Sequence, residues 1–413
     1  MTARPEDSKC SDCSDMQPSH SRRTTYLLAA SCALIVANIY YSQTLVGPIS
    51  QSLGMAKETS GLIVTLTQLG YCAGLLLLVP LADLLENRRL SVVMTIGCAA
   101  ALLLQGSATS PAMFLLSCSL VGLGSVTAQV LIPLAAHLAP EERRGREVGT
   151  VMSGLMLGIM LSRPLASAVT QLLGWRAVFR ISAGLALATA ALMARTLPQR
   201  QPETDSTYGD LLASMARLYV STPILIERAL YQGFMFGAFS IFWTAVPLYL
   251  AGPSLGLNQG QIALFALVGV AGVVAAPVAG AQADKGRLVA VTAAAMLSVS
   301  ACFLLTLLPG SGQAEIGLLL LAAVGIDAGA TANLVVSQRE IFSLKPEFRS
   351  RLNGLFISTF FVGGALGSGL GGWAYARGGW ELTARYGATL PALALLLFFA
   401  LESLRRRRQR RGK

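Results

Sequence analysis

Charge is what this chain of 413 residues has least of. Asp, Glu, Lys and Arg make up 13% of it against 54% apolar residues, and its mean hydropathy is +0.59. A soluble domain carries about 25% charged residues, so a water-soluble fold is excluded. Histidine is scarcer still, with His20 and His137 the only two. A membrane enzyme gathers His, Asp, Glu or Ser at one membrane face, and no such cluster can be read. A glycine-rich nucleotide loop is also missing, which removes direct ATP drive. Cys10 and Cys13 form a single C-x-x-C near His20 in a Ser-rich tail. A zinc site needs a second pair, so neither a metal nor a cofactor is expected. Cys32, Cys72, Cys98, Cys118 and Cys302 are scattered through apolar stretches and read as small core residues.

Long apolar runs are what the chain has in abundance. The bilayer core demands about 20 apolar residues per helix, because every backbone N–H and C=O must be satisfied within the segment. Twelve such runs are read, at 25–50, 59–82, 90–108, 111–138, 148–173, 177–196, 223–250, 259–282, 288–309, 315–342, 350–375 and 383–403. The fold class expected is therefore an all-α polytopic membrane protein. The first run is too long for a cleavable signal and lacks a small-residue cleavage site, so it stays in the membrane. A break at 197–222 separates two sets of six spans, 25–196 and 223–404, flanked by a polar tail at 1–24 and a basic tail at 405–413. Within the break, Leu211, Leu212, Met215 and Leu218 have the spacing of a short amphipathic helix.

The net charge of +11 is sorted by side of the membrane rather than gathered in a patch. Only Lys57, Arg176, Arg180, Arg377 and Arg385 fall in segments on one side, and Arg163 lies within a span. The rest of the 32 Lys and Arg share the other side, which the positive-inside rule makes cytoplasmic, with both termini. The basic C-terminus reads as an anchor at anionic lipid headgroups, not as a nucleic-acid site.

The two halves repeat one another. LAPEERR begins at Leu138 and LKPEFRS at Leu344; Gly174-Trp175 is matched by Gly379-Trp380, and Asp83 by Asp284. Offsets of 206, 205 and 201 residues point to a duplicated six-helix unit. Parallel repeats of this kind place a substrate site near the midplane, between bundles that rock about it.

The segment GAQADKGR at 280–287 resembles the cytoplasmic loop motif of the major facilitator superfamily, one residue short of its usual spacing. The first-half copy, VPLADLLENRR at 79–89, keeps Asp83, Arg88 and Arg89 but has Val79 where the glycine belongs. GWRAVF at 174–179 resembles the turn into that family's sixth helix, and Asn38 to Gln43 with Pro48 is similar to bacterial members near the drug:proton antiporters. The resemblance covers the chain from Tyr26 to Leu404 and implies a bacterial inner-membrane transporter of twelve helices in two pseudo-symmetric bundles. It also implies a cytoplasmic gate at Asp83, Arg88, Arg89, Gly280, Asp284 and Arg287, with Gly280 allowing close helix approach. Two departures stand out: Cys118 occupies the place of an arginine four residues before Gly122, and Arg163-Pro164 replaces a Gly-Pro pair.

An ionisable group inside a span costs about 2.5–3.5 kcal/mol on insertion scales and marks function by default. Asp327 and Arg163 are two such groups, read as proton or substrate sites or as a structural pair with each other. In the family the first span lines the cavity, which adds Asn38, Tyr40, Tyr41 and Gln43; Gln68, Gln129, Phe242, Trp243 and Asn333 are further polar or aromatic candidates. Glu227 and Arg228 read as an interfacial anchor and His137 as a boundary residue. The function expected is proton-coupled efflux of a small organic molecule by a monomer in contact with lipid. Uptake of a sugar, nucleoside or carboxylate is the alternative within transport, and a receptor or membrane enzyme the alternative outside it.

Overall fold

The computed structural model describes residues 22–202, 206–269, 275–344 and 349–411. The expectations for Cys10, Cys13 and His20 fall outside them. No strand occurs among the described residues, in keeping with a chain whose backbone must satisfy itself segment by segment. In chain order the helices are α1 (Arg22–Ala37), α2 (Tyr41–Leu53), α3 (Leu62–Leu77), α4 (Asn87–Gly106), α5 (Pro111–Ser125), α6 (Thr127–Leu138), α7 (Arg144–Leu173) and α8 (Trp175–Thr196). The linker helix α9 (Tyr208–Ser221) is followed by α10 (Pro223–Leu250), α11 (Gln259–Ala266), α12 (Ala275–Asp284), α13 (Leu288–Leu305), α14 (Gln313–Leu344) and α15 (Arg349–Arg411).

Ten helical segments among the described residues are long and apolar enough to cross a bilayer. Two features separate this pattern from the twelve runs of the sequence. The runs at 350–375 and 383–403 form one segment because helix resumes at once after Gly378 and Gly379, and in the run at 259–282 the described residues form α11 and α12, on either side of residues outside the description. The first run is also broken, with Asn38, Ile39 and Tyr40 in a turn between α1 and α2 closed by i→i+3 bonds to Ile35, Val36 and Ala37. Large apolar side chains such as Leu172, Leu366 and Leu396 point outward, as lipid-facing positions do.

Both halves are assembled by the same device. In the first, α1 packs on α7 where Gly154 and Gly158 face the backbone of Ala29 and Ala33; a Cβ at Gly158 would lie 2.2 Å from the Ala33 carbonyl oxygen. In the second, α10 packs on α15 where Gly363 and Gly367 face Gly233 and Gly237; a Cβ at Gly367 would lie 2.2 Å from the Gly237 oxygen. Small residues four apart let backbones meet where the lipid supplies no hydrophobic drive. Gly174 and Gly379 open the last helix of each half at φ of +80° and +61° with extended ψ, a conformation that a side chain resists. The tryptophan that follows each glycine is buried in its own half, Trp175 edge-on to Phe114 and Trp380 edge-on to Phe242.

The halves meet along α2 with α10, α3 with α15, and α7 with α11. The molecular face carrying α9 is the linker face. On the opposite face Thr65 donates to the Ala365 carbonyl at 3.0 Å, Gly61 abuts Ser368 and Gly372, and the Gly260 amide donates to Gln171 at 3.2 Å. The linker helix buries Leu211, Met215 and Leu218, three of the four apolar residues whose spacing suggested it. It straps both halves: Tyr208 donates to the Leu77 carbonyl at 2.8 Å, while Ser214 accepts from Arg351 at 3.3 Å.

Candidate functional site

Arg163 and Asp327 meet at the seam between the halves. Arg163 rides on α7 and is 3% exposed; Asp327 rides on α14 and is 5% exposed. Their closest charged atoms, Nη1 and Oδ2, lie 3.9 Å apart, longer than the 2.7–2.9 Å of a direct charge-assisted hydrogen bond. Other groups complete the shell. The Trp243 indole N–H on α10 donates to Asp327 Oδ1 at 2.7 Å, and Arg163 Nε donates to Gln43 Oε1 on α2 at 2.8 Å. The guanidinium carbon sits 4.2 Å from the Trp243 ring centroid, 4.9 Å from that of Phe239 and 5.5 Å from that of Tyr40. Such distances bring a cation within the attraction of the ring quadrupoles. The Arg163 carbonyl also accepts from Thr44 at 3.4 Å. Gly269 leaves room for the pair: a Cβ there would come 2.8 Å from Asp327 Oδ2 and 3.3 Å from Arg163 Nη1.

Further buried polar side chains pair with one another in both halves. Gln68 on α3 donates to Ser240 on α10 at 3.2 Å across the seam, and Gln129 donates to the Tyr71 hydroxyl at 3.1 Å. Asn333 donates to Gln232 at 2.7 Å within the second half. Gln43 Nε2, Gln68 Oε1, Thr244 Oγ1 and Asn333 Oδ1 are buried without a protein partner. Unmatched polar atoms are rare in protein interiors, and here they leave spare hydrogen-bonding capacity in both halves.

The structure separates the other sequence candidates. Asn38 turns away from the seam, accepting from Ser182 on α8 at 2.6 Å and lying against Cys98 on α4, and Tyr41 packs into the first-half core. Phe242 stacks edge-on against Phe303 and Trp380 inside the second half. Phe239, Gly269, Ser240 and Gln232 were not singled out by the sequence. For Phe239 a signal existed: it stands four residues before Trp243, on the same helix face.

The residues expected at a gate are not arranged as two equivalent copies. Asp83 reaches across the linker face to Arg351 of α15 at 3.9 Å, lining a small cavity of about 70 Å³ with Gln129, Arg200, Met215 and Gly354. Arg89 pairs with Glu86, and Arg88 donates to the Leu197 carbonyl. Asp284 pairs with Arg339 at 2.7 Å inside its own half, and Arg287 donates to Gln282. Gly280 was expected to permit close helix approach, but a Cβ there would meet only Val335 at 3.9 Å, an ordinary contact. Arg228 is no interfacial anchor: it is 5% exposed, ion-paired to Glu340 of α14 and donating to Thr292 at 3.0 Å. Its neighbour Glu227 pairs with Arg405, holding the end of α15 against α10.

Comparison with known proteins gives one answer. The family model described as Major Facilitator Superfamily matches residues 27–343. "Uncharacterized transporter YgaY" of Escherichia coli O157:H7 is 38% identical over 385 residues, covering 93% of this chain and 97% of that one. A "Probable sugar efflux transporter" of Helicobacter pylori strain J99 is 23% identical over 378 residues, 90% and 93% of the respective chains. Among solved structures, the nucleoside transporter NupG superposes with a TM-score of 0.73 over 91% of this chain and 99% of its own, at 15% identity, which speaks for the fold alone. An all-helical chain of apolar spans, a repeated helix-packing device and these matches agree: this chain belongs to the Major Facilitator Superfamily and is a membrane transporter, not an enzyme.

Proposed function

We propose that this transporter exports a small organic molecule across the bacterial inner membrane in exchange for protons, with Asp327 as the proton-exchanging group and Arg163 as its switchable partner. The observation that carries the reading is the ion pair itself: one charge from each half, both buried, at a separation too long for a tight bond. An ionised pair out of water is costly to keep and costlier to break by removing one member. Protonation of Asp327 removes the anion that faces Arg163, so the tie between the halves weakens and the seam can open. Loss of the proton to the other side restores it. Residues 25–196 and 223–404 are the rocking units, 197–222 their tether, and Asp83 with Arg351 the closure on the linker face. The Lys and Arg distribution supports placing that face and both termini in the cytoplasm. The name of the Helicobacter pylori relative favours efflux over uptake.

The experiment is a panel of organic solutes on the purified protein in proteoliposomes with an imposed pH gradient. Wild type should accumulate substrate inside the vesicles as protons leave them, and Asp327→Asn should lose this coupling to the gradient. Gradient-driven flux at the wild-type rate in Asp327→Asn refutes the assignment. Substrate that moves with the protons instead of opposite to them keeps Asp327 as the carrier and makes the protein an uptake symporter.

A further inference from the structure

The seam site already holds a cation, and the groups around it come from two different bodies. Arg163, Gln43 and Tyr40 belong to the first half; Asp327, Trp243, Phe239 and Gly269 belong to the second. We propose that the second-half wall, Asp327 with the faces of Trp243 and Phe239, is a binding site for an organic cation, and that Arg163 occupies it as a tethered stand-in while the seam is closed. The proposal rests on the reading of this seam as the transport site and names the substrate class it takes.

The chemistry follows from what each wall keeps when the halves part. The second-half wall retains a carboxylate, steered by the indole N–H on its other oxygen, and two ring faces at 4.2 and 4.9 Å from the position of the guanidinium carbon. Ring faces carry the negative lobe of the aromatic quadrupole, so they attract a cation there and repel an anion. Gly269 supplies no side chain beneath the carboxylate, which leaves space for a charged head group where Nη1 now lies. The ligand that fits is a monovalent amidinium, guanidinium or ammonium with an apolar or aromatic body. It must displace Arg163, whose tether gives it a millimolar effective concentration. That competition keeps the empty wall from closing on an unpaired carboxylate.

The test uses the side chain's own head group as probe. Arg163→Ala removes the stand-in, and ethylguanidinium at millimolar concentration should then raise the melting temperature of the full-length protein. Ethylurea, its neutral counterpart, should not, and neither probe should act on Arg163→Ala/Asp327→Asn. Benzamidinium should bind Arg163→Ala about tenfold or more tightly than wild type, measured at equilibrium with no pH gradient. Phe239→Leu, which leaves the ion pair in place, covers the case in which Arg163→Ala does not fold: it should weaken benzamidinium binding to wild type several-fold. Ethylguanidinium acting equally with and without Asp327, or benzoate bound by wild type and lost in Arg163→Ala, overturns the proposal. If these binding results fail while Asp327→Asn still abolishes proton-coupled flux, the substrate class is wrong and the transport assignment stands. If Asp327→Asn retains coupled flux, the transport assignment is what fails.

Discussion

Single residues decide most where a charge is out of water. Arg228, buried, and Glu340, partly exposed, form an ion pair wholly within the second half. Arg228→Met leaves Glu340 with its partner gone and should cost about 3 kcal/mol, the lower end for a broken buried pair because Glu340 keeps partial contact with solvent. Arg228→Met/Glu340→Met should recover most of that loss in thermal unfolding, since an apolar replacement of both members removes the unpaired charge. Arg163 and Asp327 were legible beforehand because a charge inside an apolar run is conspicuous whatever surrounds it. Arg228 was misjudged because it stands near the end of its run, where sequence cannot tell a side chain turned to headgroups from one turned inward. Phe239 and Gly269 were passed over for a related reason: an aromatic or a glycine in an apolar span is the ordinary content of such a span.

At the scale of elements, close helix contact is set by glycine. Gly367→Ala would force the α10–α15 pair apart, because the added methyl lands within 2.2 Å of a backbone oxygen that cannot swing away. A fall in melting temperature is expected there. Gly97→Ala on α4, where a Cβ meets nothing within 4 Å, should instead be neutral or stabilising by up to about 1 kcal/mol. The linker helix offers a pH signature. Thr207 and Asp210 form its capping box, and the Thr207 hydroxyl and amide, by donating to the Asp210 carboxylate, hold that group below its ordinary value. A carboxylate lowered on folding stabilises above its unfolded pKa and loses that contribution as pH falls through its folded value. Amide hydrogen exchange in the first turn of α9 should therefore quicken on acidification below the carboxylate range, and Asp210→Asn should remove the dependence.

At the scale of the whole molecule stands the closure proposed for the linker face. Asp83 and Arg351 are 58% and 32% exposed, and an ion pair so placed contributes about 0.2–1 kcal/mol. Asp83→Asn should shift the open–closed balance by no more than about fivefold, which is the population change that 1 kcal/mol allows. Gly354 lines the adjoining cavity and has open space for a side chain, so maleimide labelling of Gly354→Cys reports the opening. A labelling rate unchanged by Asp83→Asn would remove this pair from the gate. The pair could not have been foreseen: Asp83 was visible in its motif, but its partner lies in the other half and carries no motif.

Composition and periodicity alone determined that the chain is a helical membrane protein, because an apolar run of bilayer length has no other way to satisfy its backbone. The internal repeat determined that it has two related halves, since Gly174 and Gly379 are demanded by the same positive-φ turn at corresponding places. Tertiary structure alone decided which polar side chains face one another. Asn38 and Gln43 lie five residues apart in the same apolar run, yet the turn at 38–40 sends one toward α4 and α8 and the other to Arg163 on α7. The direction of a side chain in a broken helix depends on the break and on the neighbours that pack beside it, and neither is written in the composition of the segment.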